Sequence, residues 1–371
     1  MYTKRSMQTD NEQQTKPHVA VLYQNTEPPV IDGTRKPMKP GGYQDSGADI
    51  AYTLCLSDEV EVITPSSNPV LEQHAGWCFP DTEEGILQAI ERGATHLWAN
   101  TILFASHPLQ VSAKVGKHQD HLRVVGQGPL LVEKYDNKDY VNDLLRRLGG
   151  FTMPRAWSLP SGPISPSDIE DCIYPLVVKP ARGRGSYGVK VCKDASELVS
   201  HVESLRSEGL NLVMAEEYLS GEEATVTVMP PSLDRPDYLA LPVVTRFNHQ
   251  DGIAPYNGTV AVSTNSRAVV GSDDPAYEAV SRECENVARV LGVTGPIRID
   301  VRRYGPSDPR FVIFDVNMKP NMTGPGRPGR EDQACLSLLA AGGLGWDYQR
   351  LLKEILGTAV LLRKHRSLHP L

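Results

Sequence analysis

The chain has 371 residues, 40% apolar and 22% charged, with 38 basic and 45 acidic side chains and a net charge of −7. This is the composition of a globular protein of two or three domains, and it argues against nucleic acid or an anionic membrane as the main partner. Apolar runs are far shorter than a membrane span, and the opening MYTKRSMQTDNEQQTKPH lacks the apolar core expected of a secretory signal.

Six cysteines (Cys55, Cys78, Cys172, Cys192, Cys284, Cys335) have no CxxC spacing. That fits free thiols in a reducing compartment, so a cytoplasmic location is expected. In chain order, residues 1–16 read as a disordered tail and His18–Gln24 (HVAVLYQ) as a strand. The Pro/Gly-rich stretch Asn25–Asp45 is long for a plain connection. Its Arg35, Lys36 and Lys39 can face an anionic substrate group or simply water. Ser46–Ser57 reads as a helix, Glu59–Thr64 as a strand, and Asp81–Glu91 as a helix opened by Asp-Thr-Glu-Glu. His96–Asn100 and Leu122–Gly126 add strands. Alternating strands and helices predict an open parallel α/β sheet over residues 17–128. No GxGxxG follows the first strand, which argues against a dinucleotide fold of the usual kind.

Asp139–Leu148 is a predicted helix stopped by Gly149-Gly150. Tyr174–Pro180 (YPLVVKP) is a predicted strand carrying Lys179, and ARGRGSYGVKV follows it. Glycines 183, 185 and 188 permit a plain hairpin or a loop whose N–H groups cradle phosphate. Ala195–Glu208 reads as a helix, and Leu212–Leu219 and Ala224–Met229 as strands around Gly221-Glu222-Glu223. Toward the C-terminus, Ile297–Val301 and Phe311–Val316 alternate about a Gly-Pro turn and read as an antiparallel pair. Asp315 and Asn317 then share a strand face, and pairing brings Asp300 beside them. Two carboxylates and an amide oxygen suit Mg²⁺ held together with phosphates. Arg298 lies on the same face. A half-buried strand pair with scattered charges is the alternative for this stretch taken alone.

Taken together, Lys138, VVKPARGRGSYG, EEYLSGEE, RID and DVNMKPNMT occur in an order that resembles the ATP-grasp superfamily, and within it the D-alanine–D-alanine ligase branch. The resemblance spans residues 124–330. It implies an α/β fold of the α+β ATP-grasp type, with a central subdomain over 129–215 and a C-terminal one over 216–371. It implies that Lys138 and Lys179 contact nucleotide phosphates and that Ser186 lies in the closing glycine loop. Glu216, Glu217, Tyr218 and Leu219 would line adenine, and Glu223 would hold the ribose. Asp300, Asp315 and Asn317 would hold Mg²⁺, two ions with Mn²⁺ as a substitute, and Arg298 would steady an oxyanion. The implied reaction is ATP-dependent joining of a carboxylate to an amine through an acylphosphate.

Other segments depart from the branch. The Gly-Gly-x-Ser-x-Glu start that holds its first D-alanine is replaced by NTEPPVIDGTRKPMKPGG. Asp315 stands where the branch has Glu, and Gly326 stands where a Ser binds carboxylate. The flap segment 243–258 carries no lysine, leaving Arg246 or His249 as substitutes. Asn321, Arg327 and Arg330 become candidates for substrate contact. The expected substrates are a small carboxylic or amino acid other than D-alanine and an amine, with no nucleic acid or membrane partner and a homodimer left open. A nucleotide-binding pseudoenzyme or regulator, and an enzyme with a non-amine acceptor, are the competing readings.

Overall fold

A computed structural model describes residues 16–183, 185–253 and 262–371; the tail 1–15 and part of the expected flap, 254–258, lie outside the described residues. The first sheet is built on β1 (His18–Tyr23), whose Val19, Ala20, Val21 and Leu22 are completely buried. Such a continuous apolar run is what a parallel strand covered on both faces requires. Val19 and Val21 pack with Ala48, Ile50 and Leu54 of helix α1 (Gln44–Cys55). Ala20 and Leu22 pack with Ile86 and Ala89 of helix α2 (Glu83–Glu91). Strand β2 (Glu61–Val62) and the short β3 (Phe79–Pro80) run parallel to β1. On the other side of β1, β4 (His96–Asn100) and then β5 (Arg123–Val125) continue the parallel set. The chain therefore leaves β1 toward β2 and returns on the opposite side at β4. That reversal puts a crevice at the carboxyl ends of β1 and β4, where open α/β sheets bind ligands.

Helix α3 (Lys138–Leu148) leads to a second, antiparallel sheet. It contains β6 (Ala156–Trp157), β7 (Leu176–Pro180), β8 (Lys190–Cys192) and, after helix α4 (Ala195–Ser207), β9 (Val213–Glu217). The expected boundary after residue 215 falls inside β9. The change of sheet lies between Glu217 and Glu223.

The third sheet has the path β12–β11–β10–β13–β14, from β10 (Glu223–Met229), β11 (Val244–Arg246), β12 (Ser266–Ala268), β13 (Ile297–Arg303) and β14 (Phe311–Asn317). One face presents Ala224, Val226, Val228, Ile297, Ile299 and Val301 to Val280, Cys284, Val287 and Leu291 of helix α5 (Pro275–Leu291). Period-two alternation sends Thr225, Thr227, Arg298 and Asp300 to the opposite face. Asp300 pairs with Asp315 but Val301 pairs with Ile313, so Phe314 is an extra residue, a β-bulge.

The chain end returns to the first sheet. Strand β15 (Val360–Leu361) adds antiparallel to β5, and Leu362 packs with Leu122 and Val124. The expected C-terminal subdomain over 216–371 thus gives its last segment to the N-terminal sheet. All six cysteines are free thiols. Among the described residues, no helix is long and apolar enough to cross a membrane.

Candidate active site

The expected oxygen cluster assembles by strand register. Asp300 faces Asp315, and Arg298 faces Asn317. Arg298 grips Asp300 with two parallel bonds, Nε to Oδ1 at 3.0 Å and Nη2 to Oδ2 at 3.1 Å. Thr225 donates to the same carboxylate at 2.7 Å. Burial alone would raise the Asp300 carboxyl, but the Arg298 guanidinium overrides it and holds it below the usual carboxylate range. The Arg298–Asp300 ion pair is thus buried rather than at the surface. Asn317 Oδ1 accepts from the Lys319 N–H at 3.1 Å.

Two lysines reach this strand from other elements. Lys138 is the first residue of α3, whose start is capped by Asn137 accepting from the Tyr140 N–H at 3.1 Å. Its backbone N–H is tied to Ala181 O at 2.8 Å, just past β7. Its Nζ meets Asp315 Oδ1 at 2.8 Å. Burial works against the ammonium, yet Asp315 beside it raises its pKa. Lys179, on β7, donates to Phe314 O at 3.0 Å and pairs with Glu216 at 2.9 Å. The bulge turns the Phe314 carbonyl toward this lysine. Consecutive residues of β14 thus anchor lysines from two different sheets or helices.

Glu216 is 2% exposed, and its other oxygen accepts from Asn142 at 2.8 Å and Arg146 at 2.5 Å. Its carboxylate is turned inward and orients Lys179. This differs from the expected place along adenine. Asn142 and Arg146 escaped the sequence reading; their i, i+4 spacing on α3 puts both on one helix face, and that was the only signal. Glu217 accepts from the Arg155 N–H at 3.4 Å, and the Tyr218 N–H donates to Pro175 O at 3.3 Å. Leu219 is buried.

Glu223 is also buried and sits among two arginines and a histidine. His249 Nε2 lies 2.8 Å from it, Arg302 3.6 Å and Arg246 3.8 Å. Arg246 and His249, expected to stand in for a flap lysine, are placed around Glu223. The glycine loop joins β7 and β8 as an antiparallel hairpin. Gly185, Ser186 and Gly188 all have φ between 60° and 71°. Gly188 also packs closely, since a Cβ there would stand 2.8 Å from Leu205. The hairpin and phosphate-loop readings are compatible with this geometry, because the tip residue Tyr187 is exposed.

The expected substrate residues divide. Arg327 is 2% exposed and spends all five N–H donors internally. They go to Asp49 Oδ1 at 2.9 Å, the carbonyls of Leu71, Gln73 and Asp45, and His74 Nδ1. Arg327 is a strut holding α1, and no donor is left for a substrate carboxylate. Arg330 uses Nε on Asp49 Oδ2 at 2.7 Å and is partly exposed. Asn321 accepts from the N–H and hydroxyl of Thr323, a local turn contact.

Sequence reasoning gave Lys319 no role. Its Nζ lies 3.7 Å from the centre of the Tyr43 ring and 3.3 Å from Asn100 Oδ1. No carboxylate lies within ion-pair distance of it among the described residues. Burial, with Lys39 nearby, pulls its amine down to about 7.

The family model described as D-ala D-ala ligase C-terminus matches residues 155–357, more than half of the chain. A D-alanine–D-alanine ligase of Bacillus anthracis is 28% identical over 194 residues, covering 52% of this chain and 57% of that protein. One from Gloeobacter violaceus is 30% identical over 193 residues, covering 49% and 54%. The matched region thus spans little more than half the length of these curated relatives. The solved B. anthracis D-alanine–D-alanine ligase complexed with ATP superposes with a TM-score of 0.60 at 18% identity, covering 94% of this chain and 98% of that one. A D-Ala:D-Ser ligase from Enterococcus faecalis gives 0.59 at 15% identity, covering 92% and 99%. These likenesses establish the fold, a parallel α/β sheet followed by the antiparallel sheets of an ATP-grasp. The chain belongs to the D-Ala–D-Ala ligase C-terminal family of ATP-grasp proteins.

Proposed function

We propose that the protein is an ATP-dependent carboxylate–amine ligase that forms an amide through an acylphosphate, acting in the cytoplasm on a small acid other than D-alanine. The observation that carries this reading is the convergence of Lys138 and Lys179 on Phe314 and Asp315, beside the paired Asp300 and Arg298. Phosphoryl transfer needs positioning and charge neutralisation more than covalent help. Two fixed ammonium groups and a guanidinium supply that neutralisation. The carboxylate of the acid attacks the γ-phosphorus of ATP and ADP leaves. The amine then attacks the acyl carbon, and phosphate leaves as the amine loses its proton. Arg298 would steady the oxyanion of that second step.

The donor set fits Mg²⁺. Among the described residues no three His, Cys, Asp or Glu side chains gather as a metal site. Asp300, Asp315 and Asn317 instead offer two carboxylates and an amide, and Mg²⁺ commonly takes one or two carboxylates and completes its shell with substrate phosphates. When bound, the ion would add charge neutralisation at the phosphates.

The test is ADP release over a matrix of acids and amines, with product masses and hydroxylamine trapping of the acylphosphate. Release that requires both partners, with an amide product, supports the reading. ATP binding without turnover for any pair would sink it. Lys179→Met is expected to lower kcat by about 100-fold or more, as loss of one preorganised charge does. Glu216 keeps Arg146 and Asn142 in that variant, so the fold should survive.

A further inference from the structure

The crevice between β1 and β4 carries cations that the reaction above does not use. Tyr43 sits over it with a left-handed φ of 68°, held by Gly41 and Gly42, also left-handed. Gly42 has no alternative, because a Cβ there would stand 2.0 Å from Gln24 O. The turn is therefore pressed against the carboxyl end of β1. Lys39 lies 4.9 Å from the centre of the Tyr43 ring, and Lys319 lies 3.7 Å from it. Asp45 pairs with Lys39 at 3.2 Å, which leaves Lys319 as the excess cation. Asn100, at the end of β4, donates to Tyr43 O at 3.0 Å and Ser46 Oγ at 3.1 Å. Its amide oxygen is thereby fixed toward Lys319. The other basic residues of the loop are engaged elsewhere: Arg35 pairs with Glu27 at 2.6 Å and Lys36 with Asp136 at 2.7 Å.

We propose that Lys39 and Lys319, gathered on Tyr43 at this switch point, form an anion subsite for a second carboxylate of the acyl substrate. The acid that the enzyme activates is then a short dicarboxylic acid. This rests on the ligase reading above. Lys319 has a ring face and one amide oxygen but no carboxylate partner, so an anion in the crevice would complete its contacts. The location meets the general rule for ligand crevices in open parallel sheets. It also has the right reach. Lys319 is two residues past Asn317, a separation of at most about 7 Å along the chain. One end of a short diacid can lie at the phosphate-transfer cluster while the other meets Lys319.

The experiment compares matched acids, succinate with butyrate and aspartate with alanine, in ADP release with a fixed amine panel. The diacid is expected to have at least about a tenfold higher kcat/KM than its monoacid partner, the size of one charge-assisted hydrogen bond. Lys319→Met should remove that preference through KM, Lys319→Arg should keep it, and Lys39→Met should weaken it from a different element. A wild-type preference for monoacids, or an unchanged ratio in both methionine variants, overturns the subsite and leaves the ligase reading intact. If no acid supports turnover, the ligase reading fails by itself. The subsite is then judged by ligand-detected NMR with succinate and butyrate. Succinate binding that is present in wild type and abolished in Lys319→Met supports it. Failure of wild type to bind succinate in preference to butyrate overturns it.

Discussion

Two buried arginine–aspartate pairs of this molecule sit in different surroundings. Arg298 and Asp300 lie on the third sheet, and Arg327 and Asp49 join the segment after that sheet to α1. Both are held at about 3 Å with little exposure. Their surroundings differ. Arg327 exhausts its donors on one side chain, three carbonyls and a histidine, all belonging to the N-terminal domain. Arg298 instead stands among further charged groups, with Asp315 and Lys138 alongside on the same sheet face. A buried charge whose partners are complete is a fastener. A buried charge in a group of unlike charges that a ligand can rearrange is what the proposed ligase reaction would use as machinery.

One substitution at both places separates these roles, because lysine keeps the charge but loses the planar fork. The largest effect on stability is expected at the fastener. Arg327→Lys leaves at least two of the five acceptors without a donor, and because the carbonyls among them are part-buried each costs about 1 kcal/mol. Stability to urea should fall by about 2 kcal/mol. Next is the machinery. Arg298→Lys should lower kcat about 100-fold with nucleotide affinity nearly kept and a smaller loss of stability. Equal loss of stability at both sites, with kcat intact in the second, would collapse the distinction.

This division also explains what the sequence made visible. Alternation along Ile297–Val301 and Phe311–Val316 is local, so the strand pair and the facing of Asp300 and Asp315 were legible. The bulge at Phe314 was not, because one extra residue leaves no mark in composition, yet it directs the carbonyl that holds Lys179. Glu216 was read by its place before the EYL run. Its inward turn depends on Asn142 and Arg146, more than sixty positions away in the chain. Arg327 was read as a substrate ligand because an arginine after a strand end is ambiguous until its partner is known. That partner, Asp49, is 278 positions earlier. Lys319 carries no local signal for the same reason, since Tyr43 lies in the turn before α1 and Asn100 at the end of β4. Strand β15 is two residues long and pairs with β5 across most of the chain, below any periodic signal.

The smallest expected effect lies at the seam between the two regions. Arg330 shares Asp49 with Arg327, but through Nε alone, and its side chain is 19% exposed. Of the three charged side chains Asp49, Arg327 and Arg330, it is thus the one that solvent reaches. Arg330→Met leaves Asp49 bonded to Arg327, so the carboxylate is not abandoned. The loss should be about 1 kcal/mol, between an exposed pair and a buried one. If Arg330 only fastens, KM for both substrates stays within twofold of wild type while unfolding shifts to slightly lower urea. A KM for one substrate raised tenfold with stability unchanged would place its outer nitrogens in the binding cleft. The boundary between fastener and machinery would then run through this side chain, one turn of loop beyond Arg327.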